Sequence, residues 1–211
     1  MRIIKDPEVR RSEILDAAEM LFITKGYNKT TIIDILDKLS IAKGTFYYYF
    51  KSKEEVMDAV IMRIVDADVA AAKEISERTD LSAIDKFHQM LMAQRPKNRG
   101  SKDQMIEQFH QPDNAEMHQK SLVQSILHLT PVFTEVIEQG IRENVFKTAY
   151  PQETMEFLFA SSAFIFDECL FDWQPGEAIQ RAAAFVSIME TILGAEKGSF
   201  EPIYKMLTGQ I

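Results

Sequence analysis

The chain has 211 residues, 46% of them hydrophobic and 27% charged, with a formal net charge of -8. That length holds one small and one medium domain with cores of their own, and the hydrophobic fraction excludes a disordered chain. A single cysteine, Cys169, excludes an intramolecular disulfide framework and fits a reducing compartment.

The opening MRIIKDPEVRR is charged and carries no apolar run of the kind a secretory signal needs. The longest apolar run, Phe157 to Phe166, has ten residues with two serines, short of the roughly 20 that span a membrane. A cytoplasmic protein without a membrane partner is therefore expected. Charge is divided unevenly: residues 1–53 hold ten Lys or Arg against seven Asp or Glu, +3, and residues 54–211 hold 14 against 25, -11. A basic end beside an acidic remainder suits a protein that meets a phosphate backbone at one end only, although a solvated acidic surface accounts equally for the second figure.

The first helix is predicted from Pro7, a good first-turn residue, to Lys25, with Gly26 ending it and Ile14, Ala17, Ala18, Leu21 and Phe22 as its buried stripe. Tyr27 then packs back. Thr30 or Thr31 supplies the cap for a helix of about nine residues whose apolar face is Ile32, Ile35, Leu36 and Leu39. Ser40 and Ile41 lead at once into the next helix, which starts at Ala42 or Lys43 and holds KGTFYYYF, Lys43 to Phe50. Two short helices joined so tightly cross steeply, which is the helix-turn-helix arrangement. Successive helical side chains point about 100° apart, so Tyr47, Tyr48 and Tyr49 cannot all be buried. They either cap a small core or face a partner. Ser52 and Glu55 spell a capping box, and a fourth helix runs from Lys53 to about Arg78, long enough to link two halves mechanically.

The remainder shows no alternating strand pattern. Asp80 is expected to cap a helix to about Arg95, PKNRGS reads as a loop, and a short helix follows from about Lys102 to His110. A long helix from Asn114 to about Glu143 contains Pro131. Two further helices, Pro151 to about Asp172 and Glu177 to about Leu193, carry apolar residues on more than one face or a clean stripe with small alanines.

The run from about Val9 to Lys53, above all TT followed by KGTFYYYFKSKEE, resembles the DNA-binding domain of TetR-family transcriptional regulators. The resemblance covers the first quarter of the chain in residue types and spacings, and the rest in helix order and length only. It implies an all-α protein: an N-terminal three-helix helix-turn-helix domain, 1–53, and a C-terminal helical effector-binding and dimerisation domain, 54–211. Carried over, it implies that Lys43, Gly44 and Thr45 approach base edges and adjacent phosphates, and that Tyr47 reaches the backbone or a thymine methyl. Tyr48 and Tyr49 would then hydrogen-bond phosphates, and Thr31 and Lys53 would clamp the flanks. Phe46 and Phe50 read as core. The chain departs from the family pattern with Leu36 where Ala is common, Ser40 where Gly often makes the turn, and Ile33 at a site that is often polar.

The function implied is a ligand-responsive repressor that binds a palindromic double-stranded DNA operator as a homodimer and is released by a small apolar or aromatic effector. Phe87, His88, Met90, Leu91, Met105, Phe109, Ile126, Phe133, Phe159 and Phe164 either line its pocket or complete a core. Phe157, Phe164, Ile165, Ala182, Val186 and Met189 are expected at the dimer interface, on two helices that otherwise finish the monomer core.

Two alternatives stand beside this reading. One is a DNA-binding activator without effector. The other is a helical-bundle metal enzyme, because Asp85 with His88 and Glu107 with His110 share the carboxylate-x-x-His spacing that bundle di-iron sites use. No further glutamate pair faces them, and the chain has no phosphate-binding glycine loop, Gly-x-Ser-x-Gly or His-Glu-x-x-His motif. No catalytic residue and no cofactor is expected.

Overall fold

The computed structural model describes residues 6–94, 104, 111, 114–167 and 170–210. Among them are nine α-helices and no strand: α1 Pro7–Lys25, α2 Ile32–Leu39, α3 Lys43–Tyr49, α4 Lys53–Ser76, α5 Ala83–Gln94, α6 Ala115–Arg142, α7 Pro151–Ile165, α8 Pro175–Leu193 and α9 Glu201–Leu207. The chain is all-α with an N-terminal helix-turn-helix. It divides into two compact units; the first holds α1–α3 with the beginnings of α4 and α6, the second the remainder.

In the first unit, Asp6 caps α1 by accepting the Glu8 amide at 2.8 Å, and Pro7 occupies a position that needs no donor. The buried stripe of α1 is Ile14, Leu15, Ala17, Ala18 and Phe22, with Leu21 only half-buried. Thr31 caps α2 in a reciprocal box with Asp34, not with a Glu or Gln, and Ile35 is the residue of α2 that is fully enclosed. Three short helices make too small a core alone, and α4 completes it with Val56, Met57, Val60 and Ile61. Arg63 on α4 pairs with Asp16, 2.5 Å away, and with Glu19, both on α1.

The second unit is organised around Phe87. Its ring meets Phe133 at 5.6 Å and Phe200 at 5.3 Å between centroids, and Phe146 stacks on Phe200. Gly140 permits this, because a Cβ there would lie 2.0 Å from the Phe146 ring. Ser82, not Asp80, caps α5: its hydroxyl accepts the Asp85 amide at 3.2 Å, while Asp80 pairs with Arg78. The Glu143 carboxylate accepts the Ala83 amide, and the buried Lys86 ammonium donates to Ser76 O and Gln139 Oε1, each at 2.7 Å.

Two boundaries differ from expectation, and one helix is additional. Helix α7 stops at Ile165, seven residues before the expected Asp172, because Ser161 and Ser162 bond back to the carbonyls of Leu158 and Phe159 and the Trp173 indole N–H takes the Ile165 carbonyl at 2.9 Å. Helix α8 begins at Pro175, two residues early, under a capping interaction between Gln174 and Glu177. The short α9 was not anticipated; Phe200 and Ile203 bury it, and the buried Glu190 carboxylate accepts the Gly198 amide at 2.7 Å. Apart from Gln104, the expected helix from Lys102 to His110 lies outside the described residues, as does Cys169.

The turn between α2 and α3 contains Ser40 at φ 51, ψ 45, a left-handed conformation that costs a side-chain-bearing residue about 1–2 kcal/mol. Ser40→Gly should therefore raise stability by about 1 kcal/mol. Denaturant melting followed by circular dichroism measures it, and an unchanged midpoint would show that the turn is not strained.

Candidate nucleic-acid interface

Helix α3 is held by its two phenylalanines. Phe46 is 0% and Phe50 1% exposed, and the Arg11 guanidinium lies 5.1 Å from the centre of the Phe50 ring. With those positions fixed, helical geometry turns Lys43, Gly44, Tyr47 and Tyr48 outward. Tyr48 is 77% exposed; Tyr49 is half-buried and packs edge-on against it at 4.9 Å. The Lys43 ammonium lies 5.7 Å from the Tyr47 ring centre, and Thr45 is half-buried. A Cβ on Gly44 would meet nothing within 4 Å. No packing within the chain requires glycine there.

Thr31 is exposed at the start of α2, and its hydroxyl is engaged with Asp34, accepting the amide at 3.2 Å and donating to the carboxylate at 2.8 Å. The Lys25 ammonium bonds the same carboxylate at 2.6 Å. Together, Lys25 first, they hold the Asp34 carboxyl down from 3.8 to about 2.

Lys53 does not project from the surface. Its ammonium donates to Tyr27 O at 2.9 Å and Thr30 O at 3.0 Å and sits 4.1 Å from the Tyr27 ring centre, where desolvation lowers its pKa. Burial, then the charges of Glu54, Glu116 and Asp58, pushes the Tyr27 phenol up to about 12. The exposed lysines on this unit include Lys38 and Lys51, which the sequence reading passed over. The signal for Lys51 was its position directly after the tyrosine helix.

The expected effector residues fall into several environments. Phe87, Met90 and Phe133 are fully enclosed in the second unit's core; Leu91 and Phe159 pack against it, and Phe133 meets Phe159 at 4.9 Å. Ile126 is half-buried, and Phe164 is 54% exposed. The His88 ring packs on Phe200, with desolvation lowering its pKa. Met105 and Phe109 lie outside the described residues, as do Glu107 and His110 of the metal alternative. Among the described residues, no cluster of three or more His, Cys, Asp or Glu is arranged to hold a metal. No helix among them is long and apolar enough to cross a membrane.

Three of the six residues expected at a dimer interface are buried within the chain itself. Ala182, Val186 and Met189 face inward, 1%, 8% and 2% exposed, because the clean stripe of α8 is the one that packs on its own core. A second stripe, Arg181, Phe185, Ile188 and Ile192, runs beside it and, with Tyr150, Phe157 and Ile165 of the α7 side, lines an apolar groove of about 760 Å³. Phe157 is 75% exposed there. The second stripe was legible as i, i+4, i+7 and i+11 spacing, yet the cleaner first stripe masked it.

Two family models match the chain. "Bacterial regulatory proteins, tetR family" covers residues 14–60, and "Tetracyclin repressor-like, C-terminal domain" covers residues 97–188. An uncharacterized HTH-type transcriptional regulator of Lactococcus lactis is 53% identical over 51 residues, 24% of this chain and 26% of that protein. The HTH-type transcriptional repressor KstR2 of Mycolicibacterium smegmatis is 33% identical over 87 residues, 41% and 42% of the two chains. These matches therefore span less than half the length of the relatives. Among solved structures, Salmonella enterica GusR superposes with a TM-score of 0.60 at 15% identity, over 92% of this chain and 100% of its own, a likeness of fold.

The Asp34 bonds carry a pH dependence. A carboxyl depressed in the folded state contributes stability that is complete above its ordinary value of 3.8 and is lost as pH falls toward about 2. Asp34→Asn should lose less helicity than the wild type across that window in an acid titration. Superimposable acid profiles would mean that these bonds do not hold α2.

Proposed function

The chain belongs to the TetR family of transcriptional regulators, and on that premise we propose that it is a ligand-responsive repressor that binds a palindromic operator as a homodimer. The observation that carries this reading is the outward face of α3. Lys43, the bare backbone at Gly44, Tyr47 and Tyr48 form an exposed basic and aromatic surface on a helix anchored from behind by Phe46 and Phe50. A glycine that no neighbour in the chain requires is explained by a partner whose surface comes close to the backbone. Lys43, Gly44 and Thr45 read base edges and phosphates in this proposal, while Tyr47, Tyr48 and Tyr49 contact the sugar-phosphate backbone, flanked by Thr31. Domain 1–53 carries this activity, and 54–211 carries regulation and assembly.

One seven-residue helix reads too few base pairs to be specific, so two copies are needed. The α7–α8 groove supports a second copy of the chain as its occupant, because Phe157, Ile179, Ile188 and Ile192 would otherwise leave large apolar side chains in water. Phe164 and Ile165 continue that face. The effector acts on the second unit by favouring a state whose recognition helices no longer match successive grooves. Among the described residues, the buried His88 Nε2, Gln94 Oε1 and Thr130 Oγ1 have no hydrogen-bond partner, which supports an effector with a polar group on an otherwise apolar or aromatic body. The name of the mycobacterial relative supports repression over activation.

Selection of binding sites from random duplex DNA should enrich an inverted repeat, and enrichment of a single unpaired half-site would contradict the dimeric reading. Gly44→Ala should keep or improve stability, by up to about 1 kcal/mol, while weakening operator binding. Tighter or unchanged binding would remove α3 as the close-approach surface. Ile188→Asp should yield monomers in sedimentation and lose the operator, whereas a persistent dimer would move the interface elsewhere.

A further inference from the structure

Five residues between α1 and α2, Gly26 to Thr30, are gripped from two directions within the first unit. From α4, its first residue, Lys53, donates to the carbonyls of Tyr27 at 2.9 Å and Thr30 at 3.0 Å, with the ammonium 4.1 Å from the Tyr27 ring centre. From the start of α6, Asn114, 2% exposed, accepts the Tyr27 amide on Oδ1 at 3.0 Å. The loop adds bonds of its own: Thr30, 1% exposed, donates its hydroxyl to Gly26 O at 2.8 Å. The next residue, Thr31, is the cap of α2, and α2 leads through a three-residue turn into α3.

We propose that Lys53 and Asn114 are positioning residues that hold the Gly26–Thr30 loop, and through it α2 and α3, in the DNA-reading arrangement, and that Lys53 is not a phosphate contact. The assignment rests on the DNA-binding reading above. An ammonium with two of its three N–H groups committed to carbonyls, over an aromatic face, surrenders both bonds if it swings out to a phosphate. Both helices that grip the loop continue into the second compact unit, α4 past Val65 and α6 past Gln124.

Lys53→Arg separates this role from a phosphate contact. Arginine keeps the charge and serves a phosphate at least as well, but its planar fork is too broad for a seat built around a single ammonium. On the selected operator, Lys53→Arg and Lys53→Met should each lose about tenfold or more in affinity, while Lys53→Arg keeps the wild-type salt slope and the wild-type affinity for random duplex. Lys53→Met combined with Asn114→Ala should lose less than the product of the single losses, because both act through one loop. Wild-type operator affinity in Lys53→Arg, with a slope reduced by about one unit per subunit in Lys53→Met, would overturn the proposal in favour of a phosphate contact. Hydrogen exchange of the Tyr27 and Thr30 amides, measured without DNA, is independent of operator binding. Faster exchange in Lys53→Met is expected, and unchanged exchange would overturn the grip itself. If the wild type enriches no operator while exchange still responds, the DNA-binding reading fails and the grip stands.

Discussion

A seven-residue helix has no stability of its own in water, since nucleation costs more than so few backbone bonds return. Helix α3 exists because Phe46 and Phe50 are buried, each contributing about 1.5–3 kcal/mol of transfer free energy. Everything on its outer face depends on that anchoring. With Phe46 and Phe50 pinned, the directions of Lys43, Gly44, Tyr47 and Tyr48 follow from helical geometry alone. The anchoring in turn needs the rest of the first unit's core, in which Ile14 and Phe22 of α1 and Val56 and Met57 of α4 are likewise buried. The recognition surface is in this sense a by-product of a core assembled elsewhere.

The second unit solves a different problem. Its aromatic centre, Phe87 with Phe133, Phe146 and Phe200, is closed tightly enough that one missing Cβ, at Gly140, decides whether Phe146 fits. Helix α8 contributes Val186, Met189 and Leu193 to that interior, and still carries Ile188 and Ile192 on its other side. A helix apolar on two faces in a chain with water on one of them is unfinished, and the groove between α7 and α8 is where it is unfinished.

Sequence reading was strongest where local rules act alone. Pro7, Gly26, Thr31 and Ser52 mark their helix ends by cap chemistry that needs no tertiary partner, and the tyrosine triplet announced a helix that could not be buried whole. It was weakest where distant groups compete. The end of α7 is set in part by Trp173, eight residues on, and the approach to α9 by Glu190, whose carboxylate takes the Phe200 amide from ten residues back. Lys53 shows how a site residue can carry bonds that local reasoning does not see. Its place at a helix start beside the tyrosines suggests a phosphate clamp, but the carbonyls it bonds are 26 and 23 residues away in sequence. Ala182, Val186 and Met189 formed a stripe whose periodicity was plain, whereas periodicity cannot say which of two stripes faces the chain's own core.

Trp173 is the chain's single tryptophan, stacked flat on Phe171 at 4.8 Å with the Arg181 guanidinium 3.3 Å above the indole. Arg181 also lines the α7–α8 groove. An indole clasped between a ring and a cation emits with a colour and yield set by that cation's position, so whatever occupies the groove and moves Arg181 retunes the protein's intrinsic fluorescence. The indole is thus an optical gauge of the groove's state, readable without any label.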